Sequence, residues 1–486
     1  MAKWAIENID PTEPIKDALV RLAKDFTTEF WHSPEGEGYA TVERNGHNEN
    51  WRIKSEAYQD YLANLFYEEC EKVPGATPIR DALSVLRGIA RLRGKCFAAH
   101  VRIARDGDDV WIDLGSVNWT AVHICPCGWE VSKVPDVRFI RPSGMLPLPV
   151  PTPGGDFGKL RGFVNASDDN QWLLLKMWLV AACIPNVPCP ALVLEGPQGS
   201  GKSTTQRTLR NTIDPNIAPV RSQPRAEEDL VIAARNGAIV SIDNLSSIPN
   251  WLSDALCRVV TGGGLSKRTL YSDLDETLVE VRRPIVLNGI SDILSRPDLV
   301  DRAIILNLPA LSERDIWDER KSLRQFEEAH PEILGGLFDT VGGVLAEIDR
   351  VDSEGIELSR MADFANTILA MESVLGMEPR SLLNVYKDNR NQASLLMIEA
   401  DPFIVELVTY LERTPLPQTR SATEWLTNVN HEYPEKSKAR AWPKNGRAFS
   451  QKVNRFAPNL DKHGFKIAVN REVKRRTITI KRNQWT

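Results

Sequence analysis

The sequence predicts an α/β core built around an anion-cradling loop, preceded by an α+β unit and followed by helices and a small basic unit. Three observations predict it. An apolar run, Ala191–Glu195, opens directly into Gly196-Pro-Gln-Gly-Ser-Gly-Lys-Ser203. Two further apolar runs in the next hundred or so residues end in the polar side chains Asp243 and Asn288. Charge is segregated: residues 436–486 hold 15 Lys/Arg and two acids, a net of +13, which leaves −18 for the rest of a chain whose total is −5.

Residues 1–140 read as an α+β adaptor. Helical spacing covers 55–73 and 78–93, the second with Ala82, Val85, Leu86, Ile89 and Ala90 on one face. Short β-type runs follow at 97–103, 110–114, 119–124 and 137–140. Five prolines between Pro142 and Pro153, then Gly154-Gly155, mark 141–158 as a linker or extended strap. The core spans 159–310, with a helix over 168–184 and then strands alternating with helices. Residues 311–400 are predominantly helical, and 401–486 stand apart as the basic unit.

The segment Gly196–Ser203 matches GxxxxGKS between a strand and a helix start, the pattern of a phosphate-binding loop. Its glycines let backbone N–H groups turn inward around an anion, and the following helix adds its positive end. Gly196, Pro197, Gln198, Gly199, Ser200, Gly201, Lys202, Ser203 and Thr204 are therefore the expected ATP contacts. Lys202 supplies a charge for the outer phosphates, and Ser203 a hydroxyl for Mg²⁺. Asp243 ends a buried run 41 residues after Lys202, placed to share the Mg²⁺ with Ser203. The next residue is Asn244, where many such ATPases carry a water-polarising glutamate; Asp254 is a substitute or a surface carboxylate. Asn288 holds the γ-phosphate or the attacking water, or simply opens the turn before Gly289. Arg302 reaches a neighbouring subunit's nucleotide, or pairs with Asp298 or Asp301.

This ordered set, with Arg283-Pro284 before Asn288, resembles the superfamily 3 helicases, closest to the AAA+-like P-loop ATPases of phage and mobile-element primase-helicases. The likeness covers about residues 38–308, and Leu252–Gly264 and Lys267–Tyr271 add to it. The resemblance implies a homo-hexameric ring on single-stranded DNA, gripped by a loop between the second and third motifs. Lys267 and Arg268, after the glycines at 262–264, are then the pore residues, and cations grip phosphates without reading sequence. Asn244 departs from the pattern and leaves hydrolysis less secure than binding. A separate primase or replication protein is a further expected partner, since the acids Asp106, Asp108, Asp109 and Asp113 form no primase constellation.

In the basic unit, helices are expected at 402–413, 421–430 and 446–456. Phe449, Val453 and Phe456 point the third into a core, leaving Arg447, Gln451 and Arg455 outward. Two β-type runs, 465–469 and 476–481, flank a turn bearing Lys474 and Arg475. Three helices and a basic-tipped hairpin are the plan of a winged helix on duplex DNA.

Seven scattered cysteines point to a reducing cytoplasmic setting. Cys125-Pro-Cys127 lacks zinc spacing, no signal-peptide core opens the chain, and the most apolar window, 172–194, is broken by Lys176, Asn186 and prolines, which excludes a membrane span. The expected function is an ATP-dependent DNA helicase serving replication of a phage or mobile element. The alternative is an ATP-switched initiator or defence regulator that binds DNA without unwinding it.

Overall fold

The computed structural model describes residues 13–133, 135, 137–268, 276–289, 296–311, 319–351, 361–439, 441–472 and 475–483. The chain opens with α1 (Ile15–Phe26), β1 (Glu29–His32), β2 (Gly38–Arg44), β3 (His47–Arg52), α2 (Glu56–Cys70) and α3 (Ala76–Arg93). The strands pair antiparallel in the order β3-β2-β1, and β4 (Lys95–Cys96) closes the edge parallel to β1. Leu19, Leu22, Leu62, Phe66 and Leu86, every third or fourth residue on their helices, pack on Val42 and Ile53 as a separate core.

After β5 (Ala99–His100), the strands β6 (Ile103–Asp106), β7 (Asp109–Asp113), β8 (Ala121–Cys125) and β9 (Gly128–Ser132) form an antiparallel meander. β10 (Arg138–Phe139) returns to pair with β5. Val110, Ile112, Val122 and Ile124 join the large central core, not that of the first unit. The sequence places one adaptor over 1–140, whereas packing divides it near residue 100. The reason is that Val110, Ile112, Val122 and Ile124, two residues apart on β7 and β8, give the meander an apolar face that packs into the central core. Asp113 is buried against Arg141 at 2.6 Å and Asp109 meets His123 at 2.7 Å, so two of the four clustered acids have structural partners.

The segment 141–158 is tied to the rest of the chain by main-chain hydrogen bonds. Leu146 N–H donates to Pro215 O, Leu148 N–H to Leu114 O, and Thr152 N–H to Pro331 O. It ends in a 3₁₀ turn, Phe157–Phe163, with Phe157 and Leu160 buried. Helix α4 (Asp169–Ala182), capped by Asp168 accepting from Gln171 N–H, then leads into the core.

The core sheet consists of β11 (Ala191–Glu195), β12 (Val240–Leu245), β15 (Ile285–Gly289) and β16 (Ala303–Asn307), all parallel in the order β12-β15-β11-β16. Helices α5 (Lys202–Ile213), α6 (Glu227–Arg235) and α7 (Asn250–Thr261) and the hairpin β13 (Gly264–Arg268)–β14 (Glu276–Glu280) fill the crossovers, and α8 (Pro297–Val300) precedes β16. The strands are almost wholly buried, the mark of a parallel sheet covered on both faces.

Three helices follow, α9 (Glu319–Glu347), α10 (Ala362–Val374) and α11 (Ser381–Glu399). On α9, a Cβ at Gly335 would lie 1.7 Å from Thr152 O, so the strap's main chain runs directly against the helix. His330 of the same helix is buried, and its Nε2–H donates to Thr212 O at 2.9 Å. Burial pushes this imidazole down to about 4. An exposed histidine takes up its proton near pH ~6.5, so the neutral ring's contribution is complete above that value and is lost as pH falls toward 4. We expect a His330→Gln chain to lose less stability than the natural chain between about pH 7 and pH 5, read from urea midpoints. Equal losses would overturn the assignment.

The last unit runs α12 (Pro402–Arg413), β17 (Gln418–Ser421), α13 (Ala422–Glu432), α14 (Gly446–Lys462), β18 (Phe465–Glu472) and β19 (Arg475–Arg482). Its antiparallel sheet has the order β17-β19-β18. Trp425, Phe403, Phe449, Val453 and Ile480 form the interior, and Trp425 Nε1–H donates to Ile478 O at 2.9 Å.

A candidate nucleotide site and DNA-facing elements

The loop Gly196–Gly201 leaves the tip of β11 and enters α5. Gly201 sits at φ 70°, a left-handed turn that aims the helix start back at the loop. Pro197, Gln198 and Gly199 are exposed, Gly196, Gly201 and Thr204 half-buried, and Ser200 fully buried. Asn165 supports the loop from below, its Nδ2–H donating to Ser200 O and Pro309 O, both at 2.8 Å. Lys202 is the first helical residue, and its Nζ donates to Gly196 O at 2.8 Å and Pro197 O at 2.7 Å. Burial draws the pKa of this ammonium down, and the Asp243 carboxylate opposes that shift.

At the second position of α5, Ser203 Oγ donates to Asp243 Oδ1 at 3.0 Å. Three strands and a helix start thus converge: β11 through the loop, β12 through Asp243, β15 through Asn288, and α5 through Ser203. Asn288 is 1% exposed. Its Oδ1 accepts from Asn244 N–H at 2.7 Å, and its Nδ2 lies 2.5 Å from Gln206 Oε1 and 3.4 Å from Ser203 Oγ. Both ends of the amide are therefore engaged within the protein. Asn244 takes φ 57°, and its side chain is exposed just beyond Asp243. Asp254 lies away on α7, half exposed and paired with Arg296 at 2.6 Å. Gln206 and Ser241, missed in the sequence, are buried in this network; polar residues on a buried face leave no periodic trace.

Arg302 lies at the other end of the sheet. Its carbonyl accepts from Ala191 N–H, the first residue of β11, whereas the loop follows the last. Five strand residues at ~3.3 Å each separate the two by roughly 15 Å, beyond an arginine's reach. Its Nη1 donates to Asp298 O at 2.6 Å and lies 3.8 Å from Asp298 Oδ1. The neighbouring Asp301 instead accepts from Arg390 at 2.5 Å and Lys462 at 3.3 Å, which draws its pKa down against the effect of burial.

Lys267 and Arg268 fall on β13, opposite Thr277 and Glu276 of β14 and at the outer end of the hairpin, where the sequence expects a loop. Their side chains, and residues 269–275, lie outside the described residues. On α14, Arg447, Gln451 and Arg455 recur every four residues and are exposed. Arg455 also borders a small cleft with Asp298 and Asp301, and burial together with the nearby Arg296 pulls its pKa down. The far end of α14 is docked on the core, through Lys462–Asp301 and through Asn459 Nδ2–H donating to Ser394 Oγ at 2.8 Å. Lys474 lies outside the described residues, and Arg475 is placed only as a strand position opposite Glu472. Among the described residues no group of three or more His, Cys, Asp or Glu is arranged to hold a metal, and no helix is long and apolar enough to cross a membrane.

Residues 157–392 match the family model of the actinomycete integrative conjugative element replication protein, and residues 403–485 match the C-terminal domain model of the same family, AICE RepA. The chain belongs to this RepA family. It is a replication protein of a mobile element, as the sequence leads one to expect at that level. The two matched segments meet near the start of α12, where the basic unit begins. No curated protein matches this RepA chain. Among solved structures, the A form apo structure of the NrS-1 C-terminal region is similar at 13% identity over 96% of this chain and 99% of that one, with a TM-score of 0.41. The apo structure of NrS-1 residues 305–718 has 12% identity over 97% and 100%, with a TM-score of 0.38.

Proposed function

We propose that this RepA is an ATP-driven DNA motor of the superfamily 3 type, with an AAA+-like P-loop core, a pore hairpin and a C-terminal winged helix. The observation that carries the reading is the Ser203–Asp243 contact of 3.0 Å beside a glycine loop whose helix starts with Lys202. Two hard oxygens there suit Mg²⁺, which keeps most of its shell as water and phosphate and needs no cage of carboxylates. Ser203 and Asp243 would hold it, and when bound it neutralises charge on the phosphate oxygens. Lys202 leaves the carbonyls of Gly196 and Pro197 for the outer phosphates, and the first-turn N–H groups of α5 receive the others.

Arg302, too far from its own loop, acts on the nucleotide of an adjacent copy, so the working form is a ring, a hexamer by the resemblance. Lys267 and Arg268 line its pore and hold single-stranded DNA by the phosphates. The winged helix takes duplex DNA with Arg447, Gln451 and Arg455 on α14, and, on the sequence expectation, with Lys474 and Arg475. Asn288, with its amide engaged, senses nucleotide through Ser203 rather than by direct contact.

A second reading is favoured by Asn244, which offers no carboxylate beyond Asp243. In that reading ATP switches assembly on DNA without unwinding. Strand displacement on a tailed duplex, together with ATP consumption with and without single-stranded DNA, separates the two. The motor requires DNA-stimulated turnover and ATP-dependent displacement. Turnover indifferent to single strands, with no displacement, would leave the switch.

A further inference from the structure

We propose that Gln206 is a positioning residue for the nucleotide site, fixing the sense in which the Asn288 amide points; this rests on the ATPase reading above. Gln206 lies on α5, fully buried, one turn beyond Ser203. Its Nε2 faces Ser241 Oγ at 2.8 Å, Ile242 O at 3.1 Å and Val286 O at 3.3 Å. Carbonyl oxygens only accept, so the NH₂ end belongs there and Oε1 must point the other way. Oε1 then accepts from Asn288 Nδ2 at 2.5 Å, which turns Asn288 Oδ1 to the Asn244 N–H at 2.7 Å. A backbone N–H only donates, so the far end of the chain obeys the same constraint. The two amides have one consistent polarity, set at both ends by main-chain groups.

The chain links the three pieces that build the site. Gln206 belongs to the helix after the loop, Ser241 and Ile242 to the strand that carries Asp243, and Val286 and Asn288 to the strand between. Asn244 follows Asp243 directly in a left-handed turn. Holding its N–H therefore fixes the irregular step within β12 and how the Asp243 carboxylate meets Ser203. Remove Gln206, and Asn288 Nδ2 loses its close acceptor, so the amide is anchored less firmly and its rotation away from the Asn244 N–H becomes easier. The glycine loop and Lys202 are untouched by that rotation, so nucleotide affinity persists while the catalytic register is lost. Gln206 touches no reacting atom and acts through Asn288.

The test compares Gln206→Leu, Asn288→Ala and the double variant in the full-length chain. Amide hydrogen exchange at Asn244 should quicken roughly tenfold or more in Gln206→Leu. Steady-state kcat for ATP with single-stranded DNA should fall roughly 10–100-fold. Affinity for a fluorescent ATP analogue should stay within about twofold, because the binding loop is intact. The double variant should be no slower than Asn288→Ala alone, since both act through one chain. Gln206→Met repeats the comparison should leucine lower the melting temperature. Unchanged exchange at Asn244, unchanged kcat, or fully additive losses would overturn the proposal. A natural chain that consumes no ATP while Asn244 exchange still depends on Gln206 would instead overturn the ATPase reading and leave the positioning of Asn244 standing.

Discussion

A Lys202→Ala chain is expected to turn over ATP roughly 100–1,000-fold more slowly than the natural chain while binding duplex DNA almost as well. The lysine is the first residue of α5, and its ammonium already rests on the carbonyls of Gly196 and Pro197, within a short swing of any phosphate in the loop. Its charge meets the negative charge that grows on the phosphoryl oxygens, and nothing on α5 replaces it. Duplex binding is expected of the unit after residue 401, whose interior of Phe403, Trp425 and Phe449 owes nothing to Lys202. ATP consumption and a fluorescence-anisotropy titration with duplex DNA measure the two halves. Loss of both in a chain that melts normally would refute the division between motor and DNA-binding unit.

Arg302→Ala should lower turnover as severely, about 1,000-fold or more if the arginine acts across a subunit border. The informative experiment is a mixture. A Lys202→Ala copy still offers Arg302, and an Arg302→Ala copy still offers Lys202, so about a quarter of the borders in an equal mixture regain both groups. Activity should then reappear from two inactive chains. Recovery is required because Arg302 pairs with the first residue of β11 while the loop follows the last, and no side-chain rotation closes that gap. A mixture that stays inactive, or an Arg302→Ala chain that works normally, would return this residue to its local partner, Asp298.

Much of the site was legible because its chemistry is written in short runs. The glycines, Lys202 and Ser203 are consecutive, and Asp243 and Asn288 each end an apolar strand that cannot be mistaken for a loop. The polar layer beneath them was not legible. Gln206 and Ser241 sit among buried neighbours that periodicity reads only as apolar, and nothing in a linear sequence pairs a residue of α5 with the strand of Asp243. β17 went unseen for a related reason: Gln418-Thr-Arg-Ser alternates nothing apolar, and β19 alone makes it a strand. The third helix of the last unit is read as ending near Phe456, yet it continues through Pro458 to Lys462. Buried seats for Asn459 and Leu460 outweigh a proline that costs a helix about 3 kcal/mol. The sequence groups the meander with the rest of 1–140 because apolar spacing shows that a strand has an apolar face, and not what will cover it.

The contact between the proline-rich segment and α9 changes what counts as an independent piece of this protein. Gly335 and Gly336 lack the side chains that would otherwise fill the groove, and main chain from Thr152 to Phe157 occupies the space. Cutting the polypeptide after Gly158 would uncover a furrow one backbone wide, lined by atoms that no solvent-facing helix surface normally presents. The smallest independent piece therefore begins upstream of the family-matched boundary at 157, with that ribbon still threaded through its seat.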